Sequence, residues 1–285
     1  MRFTSIATFA ALYLASLTQS APVESRGISS LYGVSYTARN SDGSCQSSSQ
    51  IMASVKMMKS SGISHIRTYS QECDQLPNIL KAIDSAGGGM TVLAAVWIDG
   101  TANDDKEIQA LKSTLSSSKT GAIRGILVGN EVIFKGIMSS SALVKRIKEV
   151  KSFAKGIDVG SAEIDGTYTP DMVAASDIVC ANIQPFYSTV DIDGAFDNVK
   201  QRYHNFQKVA GGKEVMVTET GWPSSGASRG PAVPSTANAL KFAEQISSSS
   251  FPYYYFEWED ATWKGATVDA HFGLLSGGGK SKFAL

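Results

Sequence analysis

The chain has 285 residues, of which 43% are hydrophobic and 18% are charged, and 26 basic residues balance 26 acidic ones. A chain of that length can bury one sizeable hydrophobic core, and α/β barrels of this size are commonly single domains. The zero net charge gives no electrostatic reason for affinity to nucleic acid or an anionic membrane, so the composition favours a neutral partner.

The N-terminal residues have the pattern of a signal peptide. A basic Arg2 precedes an apolar run over residues 6–17, and small residues surround Ser20 and Ala21. A membrane anchor is the alternative, but about twelve apolar residues are too few to cross a bilayer. We therefore expect a secreted protein, with a signal peptide at residues 1–20, a short leader or propeptide at 21–27 and the folded domain at 28–285.

Secretion makes the three cysteines candidates for a single disulfide. Cys45 and Cys73 flank the first predicted helix in expected loops, whereas Cys180 lies within an apolar, strand-like run. We predict a Cys45–Cys73 disulfide and a buried Cys180 thiol. The three histidines do not have the spacing of metal ligands, so we expect no metal and no cofactor.

Strand-like and amphipathic helix-like segments alternate along the rest of the chain. The predicted strands span residues 31–37, 65–70, 91–98, 125–131, 158–164, 178–187, 214–222 and 253–260. The predicted helices span residues 49–62, 73–87, 105–118, 141–156, 169–176, 196–211 and 237–250. This alternation predicts a single-domain α/β fold, a (β/α)8 TIM barrel. A doubly wound open sheet is the alternative, but no Gly-rich phosphate-binding turn follows an early strand.

Acidic side chains end two of the predicted strands. Glu131 follows the apolar run of the fourth strand beside Asn130, and Glu219 ends the seventh strand after Val215 and Val217. The carboxyl ends of all barrel strands lie at one face, so the two acids are expected to converge there. A single acid at a strand end is more commonly solvated, but two converging acids are what cleavage of a glycosidic bond requires.

Aromatic and polar side chains at other strand ends fit a carbohydrate cleft. Aromatic rings stack on sugars, while Asn130, Arg67 and Asp99 are expected to bind hydroxyl groups. The candidate aromatic residues are Tyr36, Tyr69, Trp97, Tyr187, Trp222 and Trp258. Any one of them alone is more commonly a core residue, but together at one rim they favour a sugar-binding site.

Two motifs carry a family resemblance: VGNE at residues 128–131 and TETGWPS at residues 218–224. They resemble the signatures of glycoside hydrolase family 17, the β-1,3-glucan enzymes among the (β/α)8 retaining glycosidases. The similarity extends over almost the whole mature chain through GVSY, HIRTY, NIQPFY and FEWEDATWK. The segments GSC and ECDQL are similar to the fungal branch of the family.

The resemblance implies roles for individual residues. Glu131 is similar to the family's general acid/base and Glu219 to its nucleophile, with Asn130 placed for the 2-hydroxyl of the sugar. Lys264 matches a lysine of the family, but Ala261 stands where relatives usually have a glutamate.

Two other acids in this region are candidates to replace that glutamate. Glu257 and Glu259 both lie close in sequence to the lysine and are included among the candidate substrate-binding residues. The candidates for a platform that holds an acceptor sugar are Tyr187, Trp222, Trp258 and Trp263.

The resemblance implies β-1,3-glucan and laminari-oligosaccharides as partners, an extracellular or cell-wall location, and neither nucleic acid nor membrane as a partner. The first hypothesis is a β-1,3-glucanosyltransferase that remodels wall glucan by transglycosylation, taken as a monomer. The second is an endo-β-1,3-glucanase that transfers the same glycosyl group to water. The third is a non-catalytic protein that binds wall glucan, which the presence of both Glu131 and Glu219 disfavours.

Overall fold

The computed structural model describes residue 28 and residues 30–285, so the predicted signal peptide and leader lie outside the described residues. Eight parallel strands close into a barrel in sequence order, with the last strand paired to the first. Helices connect the strands on the outside. The predicted (β/α)8 fold is therefore confirmed.

The strands are short and nearly all of their residues are buried. They are β1 (Gly33–Ser35), β2 (His65–Arg67), β3 (Thr91–Val96), β4 (Ile123–Asn130), β5 (Val159–Ile164), β6 (Ile178–Asn182), β7 (Glu214–Thr220) and β8 (Tyr253–Tyr255). Apolar side chains that point inward fill the barrel, among them Leu93, Leu127 and Met216. Cys180 belongs to this inner cluster as a free thiol, and burial raises its pKa to about 12.

Amphipathic helices cover the barrel. They are α1 (Ser48–Ser60), α2 (Gln75–Ser85), α3 (Asn103–Ser117), α4 (Ser140–Lys151), α5 (Pro170–Ala175), α6 (Ala195–Val209) and α7 (Thr236–Ser247). The side chains of Ser47, Ser139 and Ser235 accept the first free backbone N–H groups of α1, α4 and α7. None of the helices in the described part of the chain has the length and apolar character needed to cross a bilayer.

The predicted Cys45–Cys73 disulfide is confirmed. It joins the loop after β1 to a 3-10 helix, Glu72–Asp74, that precedes α2. The bridge spans 28 positions in the sequence and stabilises the fold by about 3 to 4 kcal/mol on the chain-entropy model. Arg39 and Glu72 form an ion pair between the same two segments. The loop after β1 and the 3-10 helix are therefore joined by both a disulfide and an ion pair.

Candidate active site

A cleft of about 1140 Å³ opens at the carboxyl ends of the strands, and both Glu131 and Glu219 line it. Glu131 directly follows β4 and Glu219 lies near the end of β7, with β5 and β6 between these two strands. The sequence prediction that these two strand ends share one site agrees with this placement.

The backbone around Glu131 departs from regular strand geometry. The pairing of β4 with β5 shifts register between Leu127 and Asn130, and Glu131 itself has a φ of 58°. A non-glycine residue in this left-handed region costs about 1 to 2 kcal/mol. Gly129 before it also has a positive φ, and a Cβ atom there would lie 2.4 Å from a methyl group of Val132. The chain thus turns the Glu131 side chain out of the ladder and into the cleft, where its side chain is 18% exposed.

The side chain of Glu219 is almost buried and is held by a fully buried arginine. Arg67 Nη1 lies 2.8 Å from Glu219 Oε1, with the two side chains 0% and 9% exposed. Gln184 Nε2 donates to the other oxygen at 3.4 Å. The guanidinium carbon of Arg67 lies 3.6 Å from the ring centroid of Tyr69, which lines the cleft. Glu219 therefore keeps one face toward the cleft while its other contacts restrict its rotation.

A chain of hydrogen bonds connects the two carboxyl groups through Arg67. Arg67 Nη2 donates to Asn130 Oδ1 at 2.7 Å, and Asn182 Nδ2 donates to the same oxygen at 3.0 Å. Asn182 Nδ2 also lies 3.0 Å from Glu131 Oε1. One network thus orients both acids, and Asn182, at the end of β6, was not identified as a site residue from the sequence.

Arg67 and Asn130 therefore differ in part from the sequence prediction. Arg67 is fully buried beneath the cleft and does not line it, so the expectation that it contacts sugar hydroxyl groups is corrected. Its charge is used to hold Glu219 and Asn130. Asn130 does line the cleft, with its amide oxygen committed to Arg67 and Asn182.

The segment that follows β8 provides a third acid, and the structure distinguishes the two sequence candidates. Glu257 is buried at the cleft, and Lys264 Nζ lies 3.3 Å from its Oε1. Burial raises the pKa of Glu257 to about 7, opposed by Lys264 and reinforced by the charge of Glu219. Glu259 instead accepts the backbone N–H groups of Gly278 and Gly279 at 2.7 and 3.0 Å. Its prediction as a substrate-binding residue is corrected, because its carboxyl group holds the C-terminal loop.

The predicted aromatic residues divide into rim and core. The residues that line the cleft are Tyr69, Trp97, Tyr187 and Trp263. Tyr36, Trp222 and Trp258 do not line it and are at most 1% exposed, so their assignment to sugar stacking is corrected. Local sequence cannot distinguish these positions because the loops after the strands decide which rings are covered. The indole N–H of Trp222, for example, donates to Val233 O at 3.0 Å inside the loop after β7.

Several cleft residues carried no recognised signal in the sequence. They include Arg39, Glu72, Asn103, Phe134, Lys135, Asn182, Gln184, Arg202, Arg229, Phe256 and Asp269. Most lie on loops beyond the strands, where position along the chain does not predict which side chains face inward. Asn182 is the exception, since it ends β6, but the predicted strand extended to residue 187 and so did not mark this position as a strand end.

Two of the predicted sugar-binding residues, Tyr187 and Asp99, form hydrogen bonds to other residues of the chain. The Tyr187 hydroxyl is hydrogen-bonded to Asp269, and the Arg229 guanidinium carbon lies 5.2 Å from the Tyr187 ring centroid. Hydrogen bonds from the side chain and backbone of Thr101 lower the pKa of Asp99. In the part of the chain that the structure describes, no group of three or more His, Cys, Asp or Glu side chains is arranged to hold a metal ion.

We expect Glu257→Gln to remove a pH dependence of stability between about pH 4.5 and 7. The folded protein raises the pKa of Glu257 to about 7, so this group stabilises the fold below its unfolded pKa of 4.5. That stability is lost as the pH rises through 7, a decrease of about 3 kcal/mol in the free energy of unfolding. Urea unfolding at several pH values measures it.

Lys264→Met is the matched comparison, because removal of the Lys264 cation raises the pKa of Glu257 further. The decrease in stability should then extend to higher pH in Lys264→Met and be absent in Glu257→Gln. If wild type and Glu257→Gln have parallel stability curves over this range, Glu257 does not carry the predicted titration.

A family model and several known proteins are similar to this chain. The family model for the BtgE/BtgC glycoside hydrolase domain matches residues 33–273. The probable β-glucosidase btgE of Aspergillus clavatus is 30% identical over 257 residues, which is 84% of this chain and 44% of that protein. The btgE protein of Aspergillus fumigatus is 29% identical over 249 residues, which is 83% of this chain and 43% of that protein. The chain thus spans less than half the length of these relatives.

A relative and a solved structure match over nearly their full lengths. The glucan 1,3-β-glucosidase of Saccharomyces cerevisiae is 26% identical over 278 residues, covering 87% of this chain and 88% of that protein. The glycoside hydrolase family 17 β-1,3-glucanosyltransferase of Rhizomucor miehei superposes with a TM-score of 0.82 at 28% identity, covering 90% of this chain and 96% of that one. An active-site mutant of the Rhizomucor enzyme has been solved with laminaritriose.

Proposed function

Since the chain belongs to the family of BtgE/BtgC glycoside hydrolase domains, we propose that it is a retaining β-1,3-glucanosyltransferase. The observation that carries this proposal is the hydrogen-bonded network through Arg67, Asn130 and Asn182, which orients Glu131 and Glu219 in one cleft. The similarity to the Rhizomucor β-1,3-glucanosyltransferase supports both the substrate and the transfer reaction.

The first half-reaction attaches a sugar to Glu219. An ionised Glu219 carboxylate attacks the anomeric carbon, and its oxygen–carbon bond forms as the glycosidic bond breaks. Glu131 gives its proton to the leaving oxygen, so the departing chain leaves as a neutral alcohol. The fully buried Arg67 holds Glu219 by one oxygen, which keeps the carboxylate in a single orientation for attack.

The second half-reaction transfers that sugar to an acceptor. Glu131, now a carboxylate, removes the proton of an incoming hydroxyl group, and the new glycosidic bond forms as the ester to Glu219 breaks. The bond to Glu219 and the later bond to the acceptor form on opposite faces of the sugar ring. Each step inverts the anomeric carbon, so the β configuration is retained after both. If the acceptor is a sugar hydroxyl group, the product is a longer glucan. If the acceptor is water, the product is a shortened glucan.

We expect laminaripentaose at millimolar concentration to yield products longer than itself, in a share that rises with substrate concentration. Water is present at about 55 M, but an acceptor held in the correct orientation reaches effective molarities of about 10⁵ M or more. Tyr187 and Trp263, which are 38% and 42% exposed at the cleft, are the remaining candidates for the acceptor platform. Chromatography of the products over time measures the partition.

Hydrolysis is the second candidate function. The Saccharomyces relative, which matches over 88% of its own length, is named a glucan 1,3-β-glucosidase. If laminaripentaose at all concentrations yields only shorter sugars with β-configured reducing ends, the protein is a retaining hydrolase. If it binds laminaripentaose and releases no product, the non-catalytic hypothesis is correct instead.

The proposed location rests on the signal-peptide pattern of the N-terminal residues and on the proposed substrate. We propose that residues 1–20 direct secretion, that residues 21–27 are a leader removed from the mature protein, and that residues 28–285 act on glucan of the cell wall. N-terminal sequencing of protein recovered from the culture medium and from washed walls tests both the cleavage and the location. Recovery only from the cell interior with Met1 retained would overturn this part of the proposal.

A further inference from the structure

Glu163 is a buried acid that the proposed mechanism does not use. It lies on β5, is 0% exposed, and its two carboxylate oxygens accept the backbone N–H groups of Ile133 at 3.0 Å and Phe134 at 3.3 Å. The Thr167 hydroxyl lies 3.4 Å from the second of these oxygens. Burial raises the pKa of Glu163, and these backbone N–H groups act in the opposite direction. Burial of a carboxylate costs free energy of folding unless hydrogen-bond donors satisfy it. The backbone N–H groups of Ile133 and Phe134 are the donors that do so here.

The segment that Glu163 binds is the turn directly after Glu131, residues 131–137. The turn is closed by three backbone hydrogen bonds: Lys135 N to Glu131 O at 2.9 Å, Gly136 N to Ile133 O at 3.0 Å, and Ile137 N to Val132 O at 3.0 Å. Such a turn begins like a helix, so its first N–H groups point the same way and have no partner within the turn. Glu163 accepts them as a capping carboxylate does at a helix start.

Two side-chain contacts hold the carboxyl group of Glu131. Its Oε1 meets Asn182 at 3.0 Å, and its Oε2 meets Lys135 at 3.2 Å. Lys135 is 40% exposed, and ion pairs with exposed lysines contribute little rigidity. The backbone of Glu131, with its left-handed φ of 58°, is fixed on one side by its N–H, which donates to Ala162 O at 2.8 Å, and on the other by the hydrogen-bonded turn that follows it.

We propose that Glu163 is a positioning residue for Glu131, which holds the turn over residues 131–137 so that the Glu131 carboxyl group faces the scissile oxygen. This inference rests on the proposed role of Glu131 as acid/base. Glu163 does not line the cleft; it acts on Glu131 through the backbone of the turn, and the charges of the two carboxyl groups also repel each other.

The test is Glu163→Gln, which keeps the size of the side chain but offers one acceptor oxygen for two N–H groups. The amide N–H₂ then faces a backbone donor, and the turn shifts. We expect kcat/KM for laminaripentaose to decrease about 100-fold, the cost of a misplaced catalytic group. On 2,4-dinitrophenyl β-laminaribioside, whose leaving group needs no protonation, kcat/KM should stay within about threefold of wild type.

Glu107→Gln is the matched control. Glu107 is also a buried carboxylate that accepts two loop N–H groups, those of Gln71 at 2.7 Å and Trp97 at 2.9 Å, on the β2 and β3 side of the cleft. Both N–H groups bind the same oxygen, Oε2, which the amide oxygen of glutamine can replace, so any decrease in kcat/KM should be small and equal on the two substrates. An equal factor on both substrates for Glu163→Gln would overturn the proposal, since it would then match a purely structural defect.

Two further variants complete the design. Glu163→Asp keeps the charge and both acceptor oxygens on a side chain one methylene shorter, so it carries the test if Glu163→Gln does not fold, and the same dependence on the leaving group is expected. Glu131→Ala separates the two hypotheses. If Glu131→Ala shows no dependence on the leaving group, the proposed function fails; if it does and neither Glu163 variant does, only the positioning role of Glu163 fails.

Discussion

Glu219→Gln is expected to lower the turnover of β-1,3-glucan by about 10⁴- to 10⁶-fold, the range seen when a catalytic group that acts in concert with others is removed. Glutamine cannot form the glycosyl ester, so the covalent route is lost altogether. Its amide oxygen can still accept from Arg67, which lies 2.8 Å from Glu219 in the native protein. Steady-state rates measure the loss, and calorimetric titration with laminaripentaose should still detect binding.

The choice of glutamine matters because Arg67 is completely buried. Glu219→Ala would leave that charge without its acid, at a cost of about 3 to 5 kcal/mol in stability. Glu214→Gln is the control on the same strand, since Glu214 pairs with Arg124 at the opposite end of the barrel. It should leave the rate unchanged. A Glu219→Gln variant that keeps a tenth of the native rate would exclude Glu219 as the nucleophile.

Glu131→Ala is expected to reduce kcat/KM for laminaripentaose by about 10²- to 10⁴-fold, the usual contribution of a general acid. The reduction should nearly vanish on 2,4-dinitrophenyl β-laminaribioside, because an activated phenolate leaves without a proton. The fold should tolerate the change, since within residues 30–285 the ion pair lost is to the exposed Lys135, and Asn182 Nδ2 keeps its hydrogen bond to Asn130. Comparison of kcat/KM on the two substrates measures the effect.

Azide provides the second measurement on Glu131→Ala. Azide needs no general base, so it should enter the space left by the carboxyl group, raise kcat on the aryl glycoside and give a β-glycosyl azide. An α-glycosyl azide would contradict the retaining mechanism. Equal losses on both substrates without azide rescue would contradict the role of Glu131.

The barrel could be predicted from local patterns because the hydrophobic periodicity of about ten residues is enough to identify each strand or helix. The alternation of buried runs such as β4 with amphipathic helices such as α4 is sufficient to specify a parallel barrel. The ends of the strands were predicted less well. The fourth strand ends at Asn130 and not at Glu131, because the chain enters a left-handed conformation that no local propensity favours for glutamate.

The sequence by itself determined the barrel fold and the face at which Glu131 and Glu219 meet, since periodicity and strand direction follow from neighbouring residues. The expected loop positions of Cys45 and Cys73 also indicated their disulfide. Only the tertiary structure decided how Glu131 and Glu219 work together. Arg67 and Glu219 are 152 positions apart yet share a buried ion pair, and Glu163 reaches a turn 30 positions away. The tertiary structure also decided that Trp222 and Trp258 are buried while Trp263 is exposed. The reason is physical: burial and charge pairing depend on which loops and strands meet across the barrel mouth, and a local pattern carries no record of partners that lie far away in the chain.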